Sequence, residues 1–200
     1  MPDQNYFAFF DLPLKLDVDV ASLEKQFYIL SRRLHPDRFA SRPVAEQEAA
    51  LAQSSLLNDA YRTLKDPILR TQYLLKLEEQ SKAATDAARA TGEQKRQTVP
   101  AELLEEVFEL NMQLAEMRAA RKMGEDEPEL RRDLMTAKDS FDGKMVETQA
   151  ELERLWSRWD NAADSGDTAE KAVAKGGMVA LLNKRSYLRN LVRDVNEALE

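Results

Sequence analysis

The 200-residue chain contains no cysteine, one histidine, six glycines and seven prolines. Without sulfur it can form no disulfide, no thiolate nucleophile and no zinc or iron–sulfur site built on cysteine. With His35 as the sole imidazole, His-rich metal sites are excluded as well. No apolar run approaches the ~20 residues that a membrane-spanning helix needs, so no membrane partner is expected. The opening MPDQNYFAFFDL has no basic stretch and an early Asp3, unlike a secretory signal or a transit peptide, which makes the cytoplasm the expected compartment. No glycine-rich phosphate loop occurs either, so the chain is not expected to bind a nucleotide, and no cofactor is expected.

What is present suits a chain that folds. Hydrophobic residues make up 43% and charged residues 32%, an ordinary balance, and the length allows one or two domains. The net charge of −7 is unevenly placed. Residues 1–78 carry 10 Lys and Arg against 11 Asp and Glu, residues 79–98 carry 4 against 3, and residues 99–200 carry 15 against 22. An acidic C-terminal half repels a phosphate backbone, which argues against a nucleic-acid partner.

The hydrophobic pattern is helical and leaves little material for a sheet. Leu23, Phe27, Leu30 and Leu34 recur at helical spacing behind Asp19 and Ser22, both good helix caps. Pro36 ends this helix, because it lacks an amide hydrogen and forces His35 out of helical geometry. A second helix starts near Pro43 and lines up Leu57, Ala60, Tyr61 and Leu64. Lys65-Asp66-Pro67 ends it and opens a third, with Ile68, Tyr73, Leu74 and Leu77. A short helix around Tyr6–Phe10 can close the small core. Residues 79–98 hold no large apolar side chain and read as a linker, although their alanines permit some helix.

After Pro100 the pattern resumes with Leu103, Val107, Leu110, Leu114 and Met117, the spacing of a bundle seam. A helix from Pro128 carries Leu130, Leu134, Phe141, Leu152, Leu155, Trp156 and Trp159. A last helix carries Val173, Leu181, Leu188, Leu191, Val195 and Leu199, with a kink or late start expected at Gly176-Gly177. The predicted architecture is all-α. A helical hairpin with short flanking helices occupies residues 1–78, a linker residues 79–98, and a three-helix antiparallel bundle residues 99–200.

The His35-Pro36-Asp37 tripeptide falls between the first two long helices. Pro36 keeps the backbone extended there, so His35 and Asp37 are expected to point outward. An exposed Asp can make a charge-assisted bond to a partner's arginine. The helix leading into the loop carries Lys25, Arg32 and Arg33 opposite its Leu/Phe stripe. A basic face beside a rigid acidic loop suits docking, while a plain Pro-Asp turn beside a solvated helix face is the alternative. As a catalytic pair, His35 and Asp37 are splayed by the intervening proline, and no serine, lysine or cysteine is placed as nucleophile. The chain is therefore not expected to be an enzyme.

Tyr6, Asp11-Leu12, the amphipathic helix, His35-Pro36-Asp37-Arg38-Phe39, Asn58-Asp59-Ala60-Tyr61 and Leu64 together resemble a J-domain. The following Leu64-Lys65-Asp66-Pro67, Arg70 and Tyr73-Leu74-Leu75 look like the J-domain ending of the HscB/Jac-type co-chaperones of iron–sulfur cluster assembly. The resemblance covers about residues 4–78 well and the C-terminal half more loosely. It implies an antiparallel hairpin whose His-Pro-Asp loop and basic face stimulate ATP hydrolysis by a DnaK/HscA-type chaperone. His35, Pro36, Asp37, Lys25, Arg32 and Arg33 are the chaperone-binding residues on that basis.

On the helix after Pro100 a second apolar stripe, Leu104, Phe108 and Met112, lies about 100° around from the seam and is bordered by Glu105, Glu109 and Glu116. By pattern alone it is either part of a wide buried face or an interface strip with an acidic rim. The resemblance favours the second. It implies that this helix, with one aromatic from the last helix, binds an IscU-type iron–sulfur scaffold through Leu104, Phe108, Glu109, Met112, Glu116 and Tyr187. Two residues depart from the family: Glu105 stands where an apolar residue is common, and Met112 where an acid is common. The cysteine-based zinc module of some eukaryotic relatives cannot form here. A J-protein that serves another client through its bundle is the alternative function.

Overall fold

The computed structural model describes residues 5–85 and 100–200, and every regular element among them is a helix. The order is α1 (Tyr6–Phe9), α2 (Val20–Leu34), α3 (Val44–Lys65), α4 (Pro67–Thr85), α5 (Leu104–Met123), α6 (Pro128–Ser165) and α7 (Thr168–Leu199), with single 3-10 turns at Pro36–Phe39 and Ala101–Leu103. The all-α expectation holds among the described residues: a helical hairpin with short flanking helices is followed by three long helices. None of the described helices is long and apolar enough to cross a membrane. Helix α4 runs into the stretch read as a linker, through Thr85; residues 86–98 of that stretch lie outside the described residues.

The chain divides into two compact units, one of Met1–Ala90 with Trp156–Lys171, the other of Thr91–Leu155 with Ala172–Glu200. In the first, α2 and α3 form the hairpin. The Asp19 side chain caps α2 by accepting from the amides of Ala21 and Ser22, and Pro36 stops it. Asp66 caps α4 with two 2.8 Å bonds from the amides of Ile68 and Leu69, and Pro67 occupies the first helical position. The core gathers Phe7, Phe10, Leu16, Leu23, Leu57, Leu64 and Leu74, all 2% exposed or less. Truncating any of these large side chains to alanine costs about 2–5 kcal/mol. Tyr73 fixes α1 by stacking on Tyr6 at 4.4 Å and accepting the Tyr6 amide at 3.0 Å.

Trp156 and Trp159 belong to this same unit, whereas the apolar pattern placed them with the C-terminal helices. The reason lies in their neighbours. Asp160, itself buried, accepts the amides of Leu16 (2.9 Å) and Asp17 (2.8 Å), two donors that the loop before α2 leaves without a helical partner. Lys15 meets Asp164 at 2.7 Å, and Lys171 both meets Glu78 at 2.8 Å and lies 4.6 Å from the Trp159 ring. No period-based reading shows a polar anchor of this kind.

The second unit holds α5 with the adjoining parts of α6 and α7. Its core takes Leu103, Val107, Leu110, Leu114 and Met117 from α5, Leu130, Leu134 and Phe141 from α6, and Leu188, Leu191, Val195 and Ala198 from α7. Gly124 ends α5 with φ 74°, a left-handed turn that costs glycine little. The expected kink or late start at Gly176-Gly177 is corrected: α7 begins at Thr168 and continues through both glycines as one helix. A Cβ on Gly177 would stand 2.8 Å from Leu155 Cδ1, so the missing side chain is what lets Leu155 approach. Val173 is also corrected, since it is exposed while Ala174 and Met178 fill the inner face of α7.

Candidate functional site

The His35-Pro36-Asp37 segment is held more firmly than an open loop. His35 is extended (φ −61°, ψ 128°), as a residue before proline should be, and ends α2. Pro36–Phe39 then winds into one 3-10 turn, so Asp37 is inside a helical turn, a correction to the extended loop expected from sequence. The His35 Nδ1 caps this turn by accepting the Asp37 amide at 3.3 Å and lies 3.5 Å from its carboxylate. Arg38 donates to the Arg32 carbonyl at 3.3 Å, and Gln47 of α3 donates to the carbonyls of Ala40 and Arg42 at 3.2 and 2.8 Å. These contacts tie the turn to both arms of the hairpin. The Asp37 side chain nevertheless remains 89% exposed.

Lys25, Arg32 and Arg33 are exposed on the outer face of α2, and none makes an ion pair within the described residues. The structure thus brings all six chaperone-binding candidates onto one end and one face of the hairpin. Sequence reasoning missed two neighbours. Tyr28 and Ile29 stand exposed among those cations, and the signal was available: both fall off the Leu23/Phe27/Leu30/Leu34 stripe.

On α5 the two stripes separate cleanly. The seam residues are buried, whereas Leu104, Phe108 and Met112 are 54%, 70% and 60% exposed. Glu105, Glu109 and Glu116 are exposed beside them. Glu109 also borders a groove of about 400 Å³ between α5 and α6, floored by Leu110 and Phe141 and edged by Glu106 and Asp133. Glu106 is held by Lys144 at 3.1 Å, and Glu102 in the turn before α5 by Lys184 at 2.7 Å, so part of the acidity at this end of the helix is already neutralised. Tyr187 differs from the other five candidates. It sits on α7, half-buried against the bundle core, and burial raises the pKa of its hydroxyl, which stays neutral and able to donate at physiological pH.

Among the described residues no three His, Asp or Glu side chains gather as metal ligands. Buried titratable groups are Arg70 and Asp160. Burial lowers the pKa of Arg70 and raises that of Asp160, the latter against its two amide bonds; neither lies in the candidate faces. Arg70 donates to the Leu64 carbonyl and holds the start of α4. Apart from the half-buried Tyr187, the side chains of the two candidate faces lie largely at the surface.

No protein-family model matches the chain. Among curated relatives, it is 45% identical over 74 residues to the "Co-chaperone protein HscB homolog" of Vibrio cholerae and 49% identical over 71 residues to that of Neisseria meningitidis. These stretches are 37% and 36% of this chain, and 43% of each relative's length. Among solved structures, the chaperone HscB from Vibrio cholerae matches with a TM-score of 0.59 at 24% identity, covering 96% of both chains. The human co-chaperone protein HscB matches with a TM-score of 0.59 at 26% identity, covering 98% of this chain and 83% of that one. These relatives are named as co-chaperones. Over about a third of its length the chain is similar in sequence to HscB co-chaperone homologs, and over nearly all of it similar in fold to solved HscB structures.

Proposed function

We propose that the chain is a co-chaperone that stimulates the ATPase of a DnaK/HscA-type chaperone and delivers an IscU-type iron–sulfur scaffold to it. The J-domain at residues 1–78 docks on the chaperone, and the bundle at residues 99–200 carries the client. One observation supports this reading above the others: Asp37 is 89% exposed yet fixed in a capped turn, one helical turn beyond the unpaired Arg32 and Arg33. A fixed, solvated carboxylate loses little conformational freedom when it meets a partner's arginine, which favours a charge-assisted bond. His35 and Pro36 set the turn, while Lys25, Arg32 and Arg33 add an attraction for acidic surface.

The second face supports a client of opposite rim charge. Leu104 and Phe108 are apolar anchors, Met112 extends the strip, and Glu109 and Glu116 give it an acidic border suited to a basic rim. Tyr187 adds a hydroxyl donor from α7. The alternative, a J-protein for another client, draws on Glu105 and Met112, which depart from the family's pattern. The test is steady-state ATP turnover by a DnaK-type chaperone with the chain added, with and without an IscU-type scaffold. Stimulation that increases with scaffold supports the first reading; stimulation indifferent to scaffold, with no scaffold binding in calorimetry, supports the alternative. No stimulation at all overturns both.

A further inference from the structure

The outer face of α2 is more than a cluster of cations. Tyr28 and Ile29 are 58% and 59% exposed, and they lie three and four residues after Lys25 and three to five before Arg32 and Arg33. At 100° per residue, Lys25, Tyr28, Ile29 and Arg32 fall within about a third of the helix circumference. The two apolar side chains therefore sit between the charges. Single exposed hydrophobic residues are commonplace on proteins and call for no explanation. A pair centred among three unpaired cations has the layout of an interface, an apolar middle inside a charged rim.

The Tyr28 ring is also held in place. It packs edge-on against Phe27, with centroids 5.7 Å apart, and Phe27 stacks on Tyr61 of α3 at 4.1 Å. Tyr61 in turn bonds Glu24 at 3.1 Å and accepts from Lys65 at 3.0 Å. A row of three rings thus runs from half-buried Tyr61 of α3 through half-buried Phe27 to exposed Tyr28. An aromatic side chain ordered before binding has little rotamer entropy left to lose, which is the property of an interface anchor.

We propose that Tyr28 and Ile29 are the apolar centre of the chaperone-docking face, and that the occupant is an apolar spot ringed by carboxylates on the ATPase-bearing chaperone. This inference rests on the co-chaperone reading above, and two features of the face favour this occupant over another. Lys25, Arg32 and Arg33 make no ion pair among the described residues, which leaves their charge free to meet a carboxylate from outside. The face is also continuous with the turn that presents Asp37, one helical turn farther on. It follows that docking has a component that salt does not screen. Exposed charges act over about 8 Å at physiological ionic strength, whereas the burial of Tyr28 and Ile29 is not screened by added salt.

The test measures the concentration of chain giving half-maximal stimulation of ATP turnover by a DnaK-type chaperone, at low and at high salt. Tyr28→Gln/Ile29→Gln, with circular dichroism matching the parent, should raise that concentration about tenfold or more at both salts while maximal stimulation at saturation is retained. Arg32→Glu/Arg33→Glu should raise it at low salt and converge on the parent at high salt. Val146→Gln, which removes an even more exposed apolar side chain from α6, should change nothing. A parent that stimulates alongside an unaffected Tyr28/Ile29 variant overturns this inference alone, and a parent that never stimulates overturns the co-chaperone reading beneath it. Sedimentation showing a parent dimer that the double substitution dissociates would assign the face to a second copy of the chain, and also overturns the proposal.

Discussion

Helices α2 and α5 each bury one apolar stripe and expose a second surface, but the two surfaces are inverse in composition. On α2 two apolar side chains sit among three cations; on α5 three apolar side chains run beside a line of carboxylates. The buried stripes of both follow from the helical period, because a core must exclude water on one side only. The exposed stripes have no such cause within the fold, and their opposite rim charges argue for two different partners. A surface evolved only for solubility has no need of Tyr28, Ile29, Leu104, Phe108 and Met112 in the open.

The largest expected effect separates the tip of the hairpin from everything else. His35→Gln should leave circular dichroism unchanged, since His35 is exposed, and bring ATP turnover by the chaperone down to its unstimulated value. Glutamine cannot place an acceptor where Nδ1 meets the Asp37 amide, so the turn loses its cap. Retained stimulation would show that the turn does no more than connect two helices.

Next in size is the contrast within α5. Leu110→Ala, from the buried stripe, should cost about 2–5 kcal/mol and lower the melting temperature sharply. Leu104→Ala/Phe108→Ala opens no internal cavity and should leave the melting temperature close to the parent. It should instead weaken scaffold binding in calorimetry by more than ~1 kcal/mol per anchor. A large drop in melting temperature would return the second stripe to the core.

A smaller effect concerns the anchor at the end of α6. Asp160→Ala leaves the buried Leu16 amide without an acceptor and should cost about 1–3 kcal/mol at neutral pH. Burial raises the pKa of this carboxyl, so the folded chain binds its proton more readily than the unfolded chain. Its contribution to stability therefore falls as pH rises through the range just above the ordinary value of 3.8. Urea denaturation at acid and neutral pH should show the parent's advantage over Asp160→Ala narrowing upward through that range. A gap that widens with pH contradicts the sign.

Much of the fold could be read from the sequence because helices announce themselves by spacing and by punctuation. Pro36, Pro43, Pro67, Pro100 and Pro128 stand at or beside helix ends in the structure, and the seam from Leu103 to Met117 is the buried face of α5. Three things were hidden for physical reasons. Asp160 acts through a contact with residues 16 and 17, too far along the chain for any local period to show. The Gly176-Gly177 pair breaks helices on propensity alone, yet here the space it leaves is filled by Leu155. In the site, the tripeptide and the α5 stripe were legible as motifs, whereas Tyr28 and Ile29 were passed over: their place off the buried stripe was visible in the spacing, but two exposed apolar residues resemble scatter unless they are read together with the cations of the same helix.

The central claim is that the two exposed faces do separate work, one toward the chaperone and one toward the client. It is tested most directly by steady-state ATP turnover of a DnaK-type chaperone, with parent, His35→Gln or Leu104→Ala/Phe108→Ala, each with and without an IscU-type scaffold. Separate faces require that His35→Gln lose stimulation in both conditions, while Leu104→Ala/Phe108→Ala keep the scaffold-free stimulation and lose only the increment that scaffold adds. If the α5 variant, still folded, loses its scaffold-free stimulation, or if it keeps the full scaffold increment, the division of labour between the two faces is contradicted.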